Sequence, residues 1–290
     1  MLNNGLVSSA SDAHERIDLR DAAERLGVHY MTAYRYVRMG RLRAVQDGGR
    51  WVVDPADLDR FRTGRPAETS GRGQGRPARY RDRLRARLLA GDEAGSWRLV
   101  EAFLVSGGSP RSALLDVLAP VMCDIGTGWE SGELTVGDEH RATAVAVRLV
   151  GRLGPMLARR GRPRGTVVVA CAPGETHALP SAVLATVLRG EGYAVVELGG
   201  DTPEEAVAAA VDAAGDRLRG VAISVSSDQN LRAAVAVADR VRATRPEAML
   251  LIGGPAVATA EQAADLGADG WAPDGAGVAD LLAHRRRVAK

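Results

Sequence analysis

The sequence predicts a chain of three parts: a small α+β module, a four-helix bundle, and an α/β domain built on a doubly wound parallel sheet of five strands. Three observations predict it. Residues 66–79, PAETSGRGQGRPAR, mix Pro, Gly, Ser and Arg without periodicity and separate the front module from the rest as a flexible basic linker. From about 80 to 160, apolar residues recur at spacings of three and four, the period of a helix. From 165 onward, short β-branched runs alternate with alanine-rich amphipathic stretches, the signature of βαβ units. A chain of 290 residues has room for two or three domains. The boundaries read 15–64 for the front module, 65–80 for the linker, 81–162 for the bundle and 163–290 for the sheet domain.

Composition narrows the class. Hydrophobic residues make up 46% and charged residues 26%, ordinary globular usage, which excludes wholesale disorder. No apolar run approaches the roughly 18 residues of a membrane helix, and the opening MLNNGLVSSASD lacks a basic flank and an apolar stretch. A cytoplasmic chain without a membrane segment is the expectation. Cys123 and Cys171 show no CxxC spacing, which argues against a disulfide scaffold or a zinc site. The net charge of +2 is unevenly spread: residues 15–63 carry ten Arg against eight acids, residues 64–90 eight Arg against two, and the remainder is net negative. A positive charge balance confined to the front third fits a polyanion partner, and also a solvated linker.

In the front module, LRDAAERLGVHYMTAYRYVRMGRL gives a first helix with Leu19, Ala22, Ala23 and Leu26 on one face, a turn at Gly27, and a second helix from about Tyr30 to Met39. The outer face of that second helix offers Thr32, Arg35 and Arg38 to a DNA major groove, where arginine binds guanine edges or phosphate. RLRAVQDGGRWVVDPADLDRF then reads as two short strands joined at Asp47-Gly48-Gly49 and a helix capped by Asp54, with Pro55 in its first turn. The hairpin is a wing that places Arg50 near the DNA backbone. This segment resembles the excisionase-like, winged branch of the helix-turn-helix family, which shares its plan with MerR regulators. A small helical protein-interaction domain is the competing reading.

RYRDRLRARLLAGD, AGSWRLVEAFLVSGG, SPRSALLDVLAPVMCDIGTGWESG and TVGDEHRATAVAVRLVGRLGPMLARRG read as four antiparallel helices punctuated by Gly and Pro. Beyond them TVVVAC, YAVVEL, GVAISVS and MLLIG are strands, GWAP a short fifth strand, and VADLLAHRRR the last helix. TVVVAC runs directly into APGETHALP, which sets His177 on the loop at the carboxyl end of the first strand, where open α/β sheets bind ligands. Small residues close the other strands, at Ser224-Val225-Ser226-Ser227, Gly253-Gly254 and Leu198-Gly199-Gly200, opening a slot against bare backbone. The first βα turn has no GxGxxG, so a dinucleotide site is excluded.

With these residues in view, the sheet domain resembles the Rossmann-like cobalamin-binding (B12-binding) family with the Asp-x-His-x-x-Gly signature, whose positions are held here by Glu175, His177 and Pro180. The resemblance implies His177 as the lower axial ligand of cobalt and Glu175 as the partner of its other nitrogen. It also implies that Ser224, Ser226, Gly253 and Gly254 line the pocket of the nucleotide tail. Proline at position 180 removes an N–H and adds bulk, yet suits the first turn of a helix. In the bundle, Trp129 followed by Glu139-His140 resembles the four-helix cap of cobalamin-dependent photoreceptor regulators of the CarH type. By that resemblance Trp129 is an apolar lid over the corrin, and Glu139 and His140 meet the upper axial group. Light-responsive members can carry a histidine directly after the tryptophan; Glu130 stands there in this chain.

The expectation is a non-enzymatic transcriptional regulator, binding double-stranded DNA and cobalamin (adenosylcobalamin or methylcobalamin), light-responsive and homo-oligomeric. A corrinoid carrier for a methyltransferase and a helix-turn-helix regulator that has lost cobalamin are the alternatives. The helix-turn-helix separates the first reading from the carrier. No nucleophile–base constellation points to an enzyme.

Overall fold

The computed structural model describes residues 16–28, 30, 33, 36–37, 42–47, 50–63, 77–272 and 274–288. It divides into two compact units, Met1–Gly75 with Glu101–Ser109, and Arg76–Val100 with Pro110–Lys290.

In the first unit, β1 (Ile17–Asp18) leads into α1 (Leu19–Arg25), whose first turn is capped by the Asp18 carboxylate accepting the Arg20 N–H at 2.8 Å. Gly27, at φ +64°, supplies the turn after α1. β2 (Val45–Asp47) and β3 (Arg50–Val53) pair antiparallel with Asp47 opposite Arg50, and Asp54 caps α2 (Pro55–Thr63) by accepting the Ala56 N–H at 2.8 Å. The sheet has three strands in the order β1-β3-β2, one more than the hairpin expected. The extra strand is only two residues long, too short for alternation to reveal. Leu19, Ala22, Ala23, Ala33, Val37, Leu42, Ala44, Val53 and Leu58 form the core, and Tyr36 and Phe61 stack at 5.0 Å. Thr32, Arg35 and Arg38, the side chain of Arg50, and linker residues 65–76 lie outside the described residues.

The second unit opens with α3 (Ala78–Leu89) and with α4 (Glu93–Val105) as far as Val100. A short helix, Pro110–Ser112, passes through a π-helical stretch, Ala113–Leu118, into α5 (Ala119–Glu130), and α6 (Val136–Leu157) follows. α3 packs on α5 and α6. α4 is tied to α6 by the Arg152 guanidinium 4.0 Å over the Trp97 ring and by an Arg148–Glu93 ion pair.

The sheet is parallel, in the order β5-β4-β6-β7, with β4 (Thr166–Cys171), β5 (Ala194–Gly199), β6 (Leu218–Ser224) and β7 (Met249–Gly253). Among the described residues the fifth strand is not formed: Gly270 makes one isolated bridge with Leu251. GWAP is hemmed in on both sides. Asp269 already pairs with Leu250 through backbone and carboxylate, and Asp274 caps the next helix by accepting the Gly277 N–H at 2.8 Å. α7 (Leu179–Gly190), α8 (Glu204–Ala214), α9 (Leu231–Thr244), α10 (Ala260–Asp265) and α11 (Gly275–Val288) accompany the strands. Every residue of β4 is buried, as a central parallel strand requires. Val168 and Ala170 pack with residues of α8 and α9, Val167 and Val169 with residues of α7 and α11. α6 lies close on α7. A Cβ on Gly154 would sit 3.8 Å from the Thr186 methyl, and one on Gly190 only 3.2 Å from Leu157. No helix among the described residues is long and apolar enough to cross a membrane.

Candidate functional site

β4 is the first strand of the sheet in the chain; the connection leaves it for β5 on one side and then returns to β6 on the other. The carboxyl ends of β4 and β6 therefore flank a topological switch point, where such sheets hold ligands. Immediately past β4 the chain turns at Gly174 (φ +79°), with the Glu175 N–H donating to the Ala172 carbonyl at 2.9 Å. That turn folds the Glu175 side chain under its own loop, where it is fully buried.

Glu175 is the hub of the site. Its Oε1 accepts the His177 backbone N–H at 2.9 Å and lies 2.6 Å from His177 Nδ1. Its Oε2 accepts the backbone N–H groups of Ser226 at 2.6 Å and Ser227 at 3.1 Å, and the Asn230 amide at 3.4 Å. Burial alone raises a carboxyl pKa, but the hydrogen bonds from His177, Ser226 and Asn230 outweigh it and hold Glu175 below the usual carboxylate range. An ionised carboxylate in this place anchors the imidazole by Nδ1, leaving Nε2 directed away from Glu175. The His177 side chain is 42% exposed, and its ring centroid lies 6.2 Å from that of Trp129 at an interplanar angle of 43°. Trp129, in the last turn of α5, is itself 37% exposed, unusual for the largest apolar side chain.

At the end of β6, the hydroxyl oxygens of Ser224 and Ser226 are buried without a hydrogen-bond partner. Unmet buried hydroxyls cost on the order of 1–3 kcal/mol each, so this pair is the costly polar feature of the strand end. Gly254, at φ +119°, cannot be anything else: a Cβ would fall 2.4 Å from the Val225 carbonyl oxygen. Gly253 is under no such constraint, since its Cβ would meet only Trp271, at 4.0 Å. Pro180 stands in the first turn of α7, where its missing N–H leaves no helical bond unmade.

The expected upper residues lie at the start of α6, whose Thr135 and Asp138 form a reciprocal capping box. Glu139, 13% exposed in its side chain, accepts from the Thr143 hydroxyl at 2.6 Å. His140 is mostly exposed, 3.7 Å from Glu139. No hydrogen bond, ion pair or ring contact among the described residues joins either to Trp129 or His177. The structure thus brings together Trp129, Glu175, His177 and the backbone of Ser226, and leaves Glu139 and His140 as a separate pair. Sequence reasoning missed Asn230 and the amides of Ser226 and Ser227 as partners of Glu175. The polar run SSDQN between β6 and α9 was the available signal.

Residues 165–280 match the family model described as B12 binding domain, residues 80–153 a second model of the same description, and residues 17–66 a helix-turn-helix domain. The chain is 36% identical over 177 residues to the HTH-type transcriptional repressor CarH of Myxococcus xanthus, the match covering 59% of this chain and 58% of that one. It therefore spans little more than half the length of that relative. A corrinoid protein of Desulfitobacterium hafniense is 23% identical over 152 residues, 51% of this chain and 70% of that protein. Among solved structures, the Methanosarcina barkeri monomethylamine corrinoid protein superposes with a TM-score of 0.61 at 20% identity, covering 70% of this chain and 97% of that one, and shares the fold.

Proposed function

We propose that this chain, in which a match to a helix-turn-helix domain precedes two matches to models described as B12 binding domain, the plan of the CarH-type regulators, is a cytoplasmic DNA-binding transcriptional regulator governed by cobalamin. Its division of labour follows the boundaries above: 15–64 reads DNA, 65–80 tethers, 81–162 caps the corrin and 163–290 holds it. The observation that carries the reading is the Glu175–His177 pair, 2.6 Å apart at the carboxyl end of β4 with Trp129 opposite.

A cobalamin fits these residues. Among the described residues no group of three or more His, Cys, Asp or Glu is arranged to hold a bare metal ion. One imidazole fixed through Nδ1 would suit a metal that arrives already held within its own macrocycle. His177 would hold the cobalt through Nε2, and Glu175 would keep the imidazole in the tautomer that offers that nitrogen. Ser224 and Ser226 supply hydroxyls to the nucleotide tail, and Gly253 and Gly254 give it room against bare backbone. Trp129 would be an apolar lid over the corrin, and Glu139 and His140 would contact the group that the cobalt carries. Cobalamin, when bound, supplies a light-absorbing macrocycle and a cobalt with an exchangeable upper ligand, adenosyl or methyl. Thr32, Arg35, Arg38 and Arg50 read DNA. A ligand changes DNA affinity only by favouring one arrangement of the chain over another, here a homo-oligomeric packing of the caps.

The test is direct. Purified protein is mixed in darkness with adenosylcobalamin or methylcobalamin, and absorption spectra, light-scattering mass and electrophoretic mobility shift are recorded before and after green light. Uptake of cobalamin, lost in His177→Ala, with a light-dependent change in mass and in DNA affinity, is expected. DNA binding weakens at high salt, as counterion release requires. A chain that stays colourless with both corrinoids sinks the reading.

A further inference from the structure

The loop that carries His177 is gripped from the side by a residue with no part in the reading above. Asp201, just past β5, is the one non-glycine residue with positive φ among the described residues, at φ 45°. Such a backbone is a strained one for an L side chain and persists where the surroundings fix it. Two hydrogen bonds fix this one. The Asp201 N–H donates to the Glu175 carbonyl at 2.7 Å, and Asp201 Oδ1 accepts the Gly174 N–H at 2.7 Å. The preceding residues make the approach possible: Gly199 has φ +83°, and a Cβ on Gly200 would press to 3.2 Å from the carbonyl oxygens of both Glu175 and Thr176. The segment 199–201 thus lies flat against the backbone of 174–176.

The two bonds bracket the Gly174–Glu175 unit, whose orientation decides where the Glu175 carboxylate goes and hence how His177 is held. Glycine is the residue that adopts positive φ without strain, and glycines already stand at 199 and 200. Aspartate at 201 therefore spends backbone comfort to retain a carboxylate. We propose that Asp201 is a positioning residue for the axial ligand: it locks the backbone of Glu175 so that His177 presents Nε2 in one direction. This role rests on the cobalamin reading of the site. Asp201 touches neither the imidazole nor any group assigned to the corrin, and acts through Glu175.

The test uses the full chain with Asp201→Gly, Asp201→Ala and Asp201→Asn. Glycine keeps the backbone conformation free of strain and removes the carboxylate, so it separates anchoring from folding. Alanine removes both. Asparagine keeps an Oδ1 acceptor and tolerates positive φ. Three quantities are read: amide hydrogen exchange at Gly174 in the cofactor-free protein, cobalamin affinity by absorbance, and the axial-nitrogen hyperfine splitting in the electron paramagnetic resonance of the cobalt(II) form. In Asp201→Gly the Gly174 amide exchanges faster, affinity drops about tenfold, at the low end for partners that orient a metal ligand, and part of the bound cobalt loses the nitrogen splitting. Asp201→Asn restores all three. If Asp201→Gly binds as the wild type does, with the full splitting, the positioning role is overturned while the cobalamin reading stands. No uptake by the wild-type chain overturns both.

Discussion

Trp129 and His177 meet ring to ring, their centroids 6.2 Å apart and tilted by 43°. The contact ties the last turn of α5 to the loop after β4, the two places from which a corrin would be held. A cobalamin held by His177 would therefore change the surroundings of the Trp129 indole. Titration with cobalamin should change the tryptophan fluorescence, and the part of that change assigned to Trp129 should vanish in Trp129→Phe. An identical response in that variant would show that the cap stays where it is.

Ser224 and Ser226 give a prediction of opposite signs. Their hydroxyls are buried and unpartnered, so Ser224→Ala and Ser226→Ala should leave the cofactor-free protein as stable or raise its stability by about 1 kcal/mol. Cobalamin affinity should fall in the same variants. Urea melts and absorbance titrations of the same preparations decide it; a loss of stability alone would mark the serines as structural.

The two glycines at the end of β7 should part company. Gly254→Ala brings a Cβ to 2.4 Å from the Val225 carbonyl oxygen at φ +119°, which should cost about 3 kcal/mol or more. Gly253→Ala meets nothing nearer than 4.0 Å and should change stability by less than about 1 kcal/mol. Equilibrium unfolding of each variant checks both figures.

At the amino end of α6 the Thr135 hydroxyl lies 2.6 Å from Asp138 Oδ2. That hydrogen bond, with the one from the Thr135 N–H, holds the Asp138 carboxyl below the usual carboxylate range. A lowered folded-state pKa means stabilisation that is complete above the ordinary carboxylate range and is lost as the pH falls through the folded value. Wild type should melt above Asp138→Asn at neutral pH, and the difference should shrink in acid. Melting curves that keep a constant separation down to acid pH would rule this out.

Glu175→Gln keeps the shape of the hub and removes its charge. Three donors that now point at Oε2 would face a weaker acceptor or an amide, so a loss of about 2 kcal/mol is expected, together with weaker cobalamin uptake. Thermal unfolding measures the first and absorbance the second.

The parts of this site that sequence exposes are those with a side-chain signature. TVVVAC announces a buried strand, and Glu175 and His177 stand where such a strand must let go of the sheet. The orphaned serines and the bare Gly254 follow from small residues at strand ends. What stayed hidden is carried by backbone: the N–H groups of Ser226 and Ser227 leave no mark in a sequence, and neither does the positive φ of Asp201. Strand errors have the same origin. β1 is two residues long, and GWAP, although apolar, has its neighbours committed to Asp269 and to the cap of α11. Asn230, buried in a polar turn, becomes legible only when Glu175 is seen beneath it.

The seam between α6 and α7 decides how the molecule can open. Near Gly154 and Gly190 the two helices are zipped with no slack, and that grip falls on the far end of α7 from His177. Any yawning between indole and imidazole would then swing about this seam, as the jaws of a clothes-peg swing about their spring.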